Sequence, residues 1–165
     1  MKKIYHTWQN IKGQSSEIIR QMWDNRWCPD YIVGITRGGL VPANLISQYL
    51  SVPMYTLQVR LRDGTVDDCE SNLWMADDAF EGKNILIVDD INDSGNTLNW
   101  IKQDWMSSNF PTSEKWSLVW NRNVRFAVLV DNQDSKFNDI DYSGAEINKA
   151  EEDCWIVFPW EEWWK

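Results

Sequence analysis

The feature that most constrains this chain is Ile85-Leu86-Ile87-Val88, an unbroken run of bulky apolar residues that ends abruptly in Asp89-Asp90. A run with no polar alternation reads as a strand covered on both faces. Such strands belong to parallel sheets, whose long crossover connections lay helices over both sides. Two carboxylates directly after the run are costly to bury alone, so they call for hydroxyls, a cation or water. Beyond them, Ser94, Gly95 and Thr97 stand at a helix start, where free amides and the helix dipole favour a phosphate. Carboxylates for ribose hydroxyls followed by amides for a 5′-phosphate suit a phosphorylated sugar. Asp93 does not fit that cradle, because an anion repels what the loop is built to hold; it needs another task.

The rest of the chain continues the strand and helix alternation. Residues 15–27 place Ile18, Ile19, Met22, Trp23 and Trp27 at helical spacing behind a cap at Ser15 or Ser16, and Pro29 stops the segment. Tyr31 to Ile35 predicts a buried strand, Thr36-Arg37-Gly38-Gly39 a turn, and about Leu40 to Leu50 a helix. A second strand is expected at Met54 to Arg60. The polar, acidic stretch from there to about Glu81 lacks steady periodicity and reads either as a flexible loop or as a segment carrying a small hairpin. After Gly95, Leu98, Ile101 and Trp105 recur at helical spacing; strands follow at Phe126 to Val130 and around Trp155 to Phe158. The expected class is α/β, with a mostly parallel central sheet flanked by helices. At 165 residues it reads as one domain, with a core over about 30–131 and a C-terminal part from about 132. In such sheets ligands gather beyond the carboxyl ends of the strands, where both glycine turns would lie.

Composition excludes several functions. A formal net charge of −9 argues against nucleic acid or an anionic membrane as partner. No run of about 18 apolar residues is present, and the start MKKIYHTWQN lacks the apolar segment of an export signal. Three dispersed cysteines and one histidine suit neither a disulfide framework nor a thiolate metal site, so a cytoplasmic setting is expected. No Gly-x-Gly-x-x-Gly turn or Gly-x-x-x-x-Gly-Lys-Ser/Thr loop occurs. The twelve tryptophans are scattered, which predicts core and subunit-contact roles for most, and the apolar tail Trp160 to Trp164 predicts a subunit contact.

Residues 85–98, Ile-Leu-Ile-Val-Asp-Asp-Ile-Asn-Asp-Ser-Gly-Asn-Thr-Leu, resemble the phosphoribosyl pyrophosphate motif of the type I phosphoribosyltransferases. The resemblance implies that Asp89 and Asp90 hold the ribose hydroxyls and a magnesium ion. It also implies that Asp93, Ser94, Gly95, Asn96 and Thr97 grip the 5′-phosphate. Asp93 would further act near the purine N7 as general base, offsetting positive charge as the ribose C1 becomes oxocarbenium-like. Gly34 to Ala43 resembles the family's pyrophosphate loop, which implies a pyrophosphate role for Thr36, Arg37, Gly38 and Gly39. Arg60 and Arg62, at the place of the family's closing loop, would add positive charge to that side.

Asp153 to Glu161 resembles the tail of the branch that acts on xanthine, guanine and hypoxanthine. There Trp155 would stack on the base, and Ile156 would contribute backbone groups and apolar contact. One departure stands out. The branch places a lysine for the exocyclic oxygen just after the strand matching Ala127 to Val130, but this chain continues Asp131-Asn132-Gln133-Asp134-Ser135-Lys136. Either Lys136 reaches the base from further along, or Asp131 and Asn132 select another pattern, such as an amino group. Ser107 to Arg125 also reads as an insertion.

The resemblance therefore implies a purine phosphoribosyltransferase that uses phosphoribosyl pyrophosphate, a nucleobase and Mg2+, and that forms a homodimer or homotetramer. Two alternatives stay open: a non-catalytic regulator binding the sugar donor or a nucleotide, and an enzyme for pyrimidines. An acid-pair receiver domain, with Asp131 as phosphoacceptor, is disfavoured because a strand-rich region precedes Asp89 and too little chain follows Asp131.

Overall fold

The computed structural model describes the backbone of residues 1–62, 65–69 and 72–165, and side chains other than those of residues 60 and 62–71. In chain order the elements are β1 (Lys2–Tyr5), α1 (Trp8–Asp24), β2 (Tyr31–Thr36), α2 (Leu40–Leu50), β3 (Met54–Arg62), β4 (Thr65–Cys69), α3 (Leu73–Glu81), β5 (Ile85–Asn92) and α4 (Asn96–Ser108). A 3-10 turn at Glu114–Leu118 precedes β6 (Val124–Asn132), β7 (Tyr142–Ile147) and β8 (Cys154–Val157).

The central sheet has the order β4-β3-β2-β5-β6-β7, parallel throughout except for the antiparallel β3–β4 pair. The apolar run of β5 is completely buried and splits by alternation. Ile85 and Ile87 pack with α3 and α4, whereas Leu86 and Val88 pack with α1 and α2. Each such side chain contributes about 1.5–3 kcal/mol of burial, so this strand anchors both layers. From β2 the chain crosses by way of α2 to β3, and from β5 by way of α4 to β6 on the other side. The strand order thus reverses between β2 and β5, which opens a crevice at their carboxyl ends.

Several elements differ from the sequence expectation. Helix α1 starts at Trp8 rather than near Ser15, because Thr7 caps it: Thr7 Oγ1 accepts from Asn10 N, and Asn10 Oδ1 accepts from Thr7 N at 2.8 Å. Ser15 is buried inside the helix, and Ser16 donates to Lys12 O instead of capping. The expected hairpin exists as β3–β4, but helix α3 takes up the end of the segment read as a loop; the expected flexible part falls largely outside the described residues. Strand β7 was not expected. The last strand, β8, joins β1 in a separate two-stranded parallel sheet, with Lys3 opposite Trp155. The stretch 107–125 packs Trp116 and Trp120 against Trp105 and Phe126, and the Trp116 and Trp120 rings stack at 5.5 Å.

Candidate active site

The reversal point carries two turns. After β2, Thr36 to Gly39 runs into α2, and Gly39 N donates to Ile35 O at 2.7 Å to close the turn. Gly38 lies against Asp90, and a Cβ there would collide with the Asp90 carboxylate. Only glycine lets the two turns come this close. Arg37, beside it, is exposed.

After β5, the two acids are tied by their own backbone: Asp90 N donates to Asp89 Oδ1 at 2.8 Å, and Ile91 N donates to Asp90 Oδ1 at 2.7 Å. Burial, then the charge of Asp90, pushes the Asp89 carboxyl well above the usual carboxylate range. Burial also raises Asp90. Both would be relieved by a cation or by hydroxyl donors. Gly95, at φ +89°, turns the chain into α4 and packs so tightly on Ser135 and Phe137 that no side chain fits. The same support is hydrogen-bonded: Lys136 N donates to Ser94 O at 3.0 Å. Asn92, 2% exposed, donates to Phe137 O and Asp131 Oδ1 and accepts from Ser135 Oγ at 2.8 Å. Asn92 is thus a lock between β5 and the loop after β6.

Two cavities meet here. The larger, about 860 Å³, is lined by Thr36, Arg37, Gly38, Asp90, Trp155 and Val157, with Trp160, Glu161, Glu162 and Trp164 from the tail. The smaller, about 230 Å³, is lined by Asp89 to Gly95 together with Thr97 and Leu98. Asp90 belongs to both.

Of the residues singled out in the sequence, Thr36, Arg37, Gly38, Asp89, Asp90, Asp93, Ser94, Gly95, Thr97 and Trp155 come together at these cavities. Gly39 is buried behind the first turn, and Asn96 N donates to Ser94 Oγ at 3.3 Å without lining either cavity. The Arg60 and Arg62 side chains lie outside the described residues. Trp155 is 47% exposed on β8 and lines the larger cavity, whereas the Ile156 side chain is buried in the core and Ile156 lines neither cavity. Lys136 is exposed and lines neither cavity.

The sequence reading missed the tail residues Glu161, Glu162 and Trp164, whose arrival beside Asp90 had no local signal. It also missed Lys149, on the connection after β7. Lys149 Nζ lies 2.9 Å from Asp93 Oδ1 and 5.4 Å from the Trp155 ring centroid. Asn132, one of the residues weighed for base selection, is buried and holds Asp93 and Lys149 in place: its Nδ2 donates to Asp93 O, and its Oδ1 accepts from Lys149 N.

An amide-rich turn and an acid-rich loop at the reversal point of a parallel sheet are the setting in which α/β proteins bind phosphorylated small molecules. The particular family is clear from comparison with known proteins. The chain belongs to the phosphoribosyl transferase domain family, which matches residues 1–165. A xanthine-guanine phosphoribosyltransferase of Cereibacter sphaeroides is 32% identical over 138 residues, covering 79% of this chain and 68% of that protein. A hypoxanthine-guanine phosphoribosyltransferase of Schizosaccharomyces pombe is 22% identical over 192 residues, covering 96% of this chain and 89% of its own length. Among solved structures, a purine phosphoribosyltransferase from Pyrococcus horikoshii is similar with a TM-score of 0.69 and 26% identity, covering 98% of this chain and 96% of that one. No helix among the described residues is long and apolar enough to cross a membrane.

Proposed function

We propose that this chain transfers the 5-phosphoribosyl group from phosphoribosyl pyrophosphate to a purine of the guanine, xanthine or hypoxanthine type, releasing pyrophosphate. The observation that carries this reading is that Asp90 is shared by both cavities, so that the cavity of the Arg37 turn and Trp155 adjoins the cavity of the Asp93–Thr97 loop. A donor lying across Asp89 and Asp90 then has its 5′-phosphate in the smaller cavity. Its pyrophosphate meets the amides of the Thr36–Gly39 turn and the Arg37 guanidinium. Trp155 offers a face for the base.

Mg2+ fits this donor set. No group of three or more His, Cys, Asp or Glu side chains among the described residues is arranged to hold an ion alone. Magnesium is commonly held by one or two carboxylates together with substrate oxygens, and Asp89 and Asp90 are the carboxylates available. When bound, the ion would neutralise charge on the donor. The chain's own part is to orient the ribose through the two acids, to cradle the phosphate with loop amides, and to present the Asp93 carboxylate near the base N7. There Asp93 takes up the proton and faces the positive charge developing at C1. The single-unit organisation, with residues from about 132 forming a hood for the base, belongs to this reading, as do a cytoplasmic location and self-association through the exposed Trp163 and Trp164.

The test is a panel of purines and pyrimidines with phosphoribosyl pyrophosphate and magnesium, monitored by pyrophosphate release. Guanine, xanthine or hypoxanthine should yield nucleotide. Donor binding without turnover on any base would favour the regulatory alternative, and turnover on pyrimidines alone would replace the purine reading.

A further inference from the structure

Lys149 is not an ordinary surface lysine. Its side chain is only 17% exposed, its ammonium sits 2.9 Å from Asp93 Oδ1, and it lies over the face of Trp155. The arrangement is built in from beneath. One buried amide, Asn132, accepts from Lys149 N at 3.0 Å and donates to Asp93 O at 3.0 Å, so the backbones at both ends of the ion pair hang from a single side chain. The cation therefore comes from the β7–β8 connection, not from the segment after β6, where Lys136 faces solvent.

We infer that Lys149 is the specificity-determining residue for the acceptor, selecting a purine with a carbonyl oxygen at C6, and that its ion pair with Asp93 is exchanged when that base binds. The inference rests on the transferase reading above. On one edge a 6-oxopurine presents N7 and O6 side by side, whereas adenine presents N7 beside an amino group. A carboxylate and an ammonium in contact match the first edge: Asp93 for N7, Lys149 for O6. An ammonium has donors and no acceptor, so against adenine's amino group it meets donor with donor. A base entering over Trp155 takes the space into which the ammonium projects. An O6 acceptor draws the ammonium off Asp93 and leaves that carboxylate free for the N7 proton. Adenine offers no acceptor there, leaves the ion pair closed and keeps Asp93 occupied. Discrimination should thus show in kcat as well as in KM.

The experiment compares wild-type, Lys149→Met and Lys149→Arg with guanine, hypoxanthine and adenine, and measures donor binding separately by calorimetry. Lys149→Met should lose roughly 100-fold in kcat/KM for the oxopurines. Its adenine turnover should rise above wild-type, because Asp93 is released from the ion pair, its donor affinity should stay within about threefold of wild-type, and Lys149→Arg, which keeps a cationic donor, should recover at least about tenfold of the loss. A Lys149→Met enzyme with unchanged base preference, or one that loses donor binding as severely as oxopurine turnover, overturns the inference while the transferase reading stands. A wild-type protein that transfers to no purine removes that reading, and the inference with it.

Discussion

In the proposed transferase, the donor and acceptor halves of the site are built in opposite ways. The donor half is local: the Thr36–Gly39 turn and the Asp89–Thr97 loop are each one continuous segment at the end of a central strand, and β2 and β5 are direct neighbours. The acceptor half is assembled from afar. Trp155 stands on a strand paired with the β1 segment, Lys149 on the connection before it, and Asn132 at the end of β6. A site for a constant sugar phosphate can rely on backbone amides fixed by the sheet, whereas a site for a variable base relies on side chains set on movable connections. Asp93 belongs to both halves, since its loop lines the smaller cavity and its carboxylate pairs with Lys149.

The comparison is tested most severely at that shared residue. Asp93→Asn keeps the shape of the loop and removes the base, so turnover should fall by about 10²–10⁴-fold. Donor affinity, measured by calorimetry, should change by less than about threefold, because the loop amides remain. Loss of donor binding equal to the loss of turnover would make Asp93 a structural part of the phosphate loop and erase the division between the halves.

Trp155→Ala should act on the acceptor half alone. Stacking on an aromatic ring contributes about 1–3 kcal/mol, so KM for the base should rise by roughly 5- to 150-fold with the KM for the donor nearly unchanged. Trp155→Phe should recover most of the loss. If both KM values rose together, the ring would be supporting the cavity wall it shares with Arg37 and Asp90 instead of holding the base.

The same contrast explains what was legible in the sequence. Strand β5, helix α2 and the two turns were readable because their signals are local: an unbroken apolar run, helical spacing, glycines beside charged residues. Strand β7 was not, because Tyr-Ser-Gly-Ala-Glu-Ile has neither an apolar run nor clean alternation. It is held instead by pairing with β6 and by the Gln21 amide, which donates to Ser143 O and accepts from Ser143 N. The start of α1 was missed because its capping partner is Asn10, outside the usual Ser/Thr-x-x-Glu/Gln pattern. Lys149 carries no local mark at all; its role depends on Asn132 and Asp93, brought to it only by the folded sheet.

The smallest expected effect concerns what the donor half costs the fold. Burial holds the Asp89 and Asp90 carboxyls above their ordinary range, so the ligand-free folded protein keeps protons that the unfolded chain has released once the pH exceeds about 4. Its stability contribution is therefore full below that pH and declines as the pH rises through the folded-state titration of the pair. Asp90→Asn removes one charge yet leaves an oxygen to accept from Ile91 N, so it should stabilise the ligand-free protein. A gain of about 1 kcal/mol at pH 7 would raise Tm by roughly 2–4 °C, with a flatter dependence of Tm on pH above about 4. The same variant should lose the Tm increase that donor and magnesium together give the wild-type, because stabilisation by a ligand scales with its binding to the folded state. An Asp90→Asn protein that melts lower at pH 7, or that keeps the full donor-dependent increase, would mean that this acid is satisfied by the fold itself and that the donor half, like the apolar run before it, is built for stability.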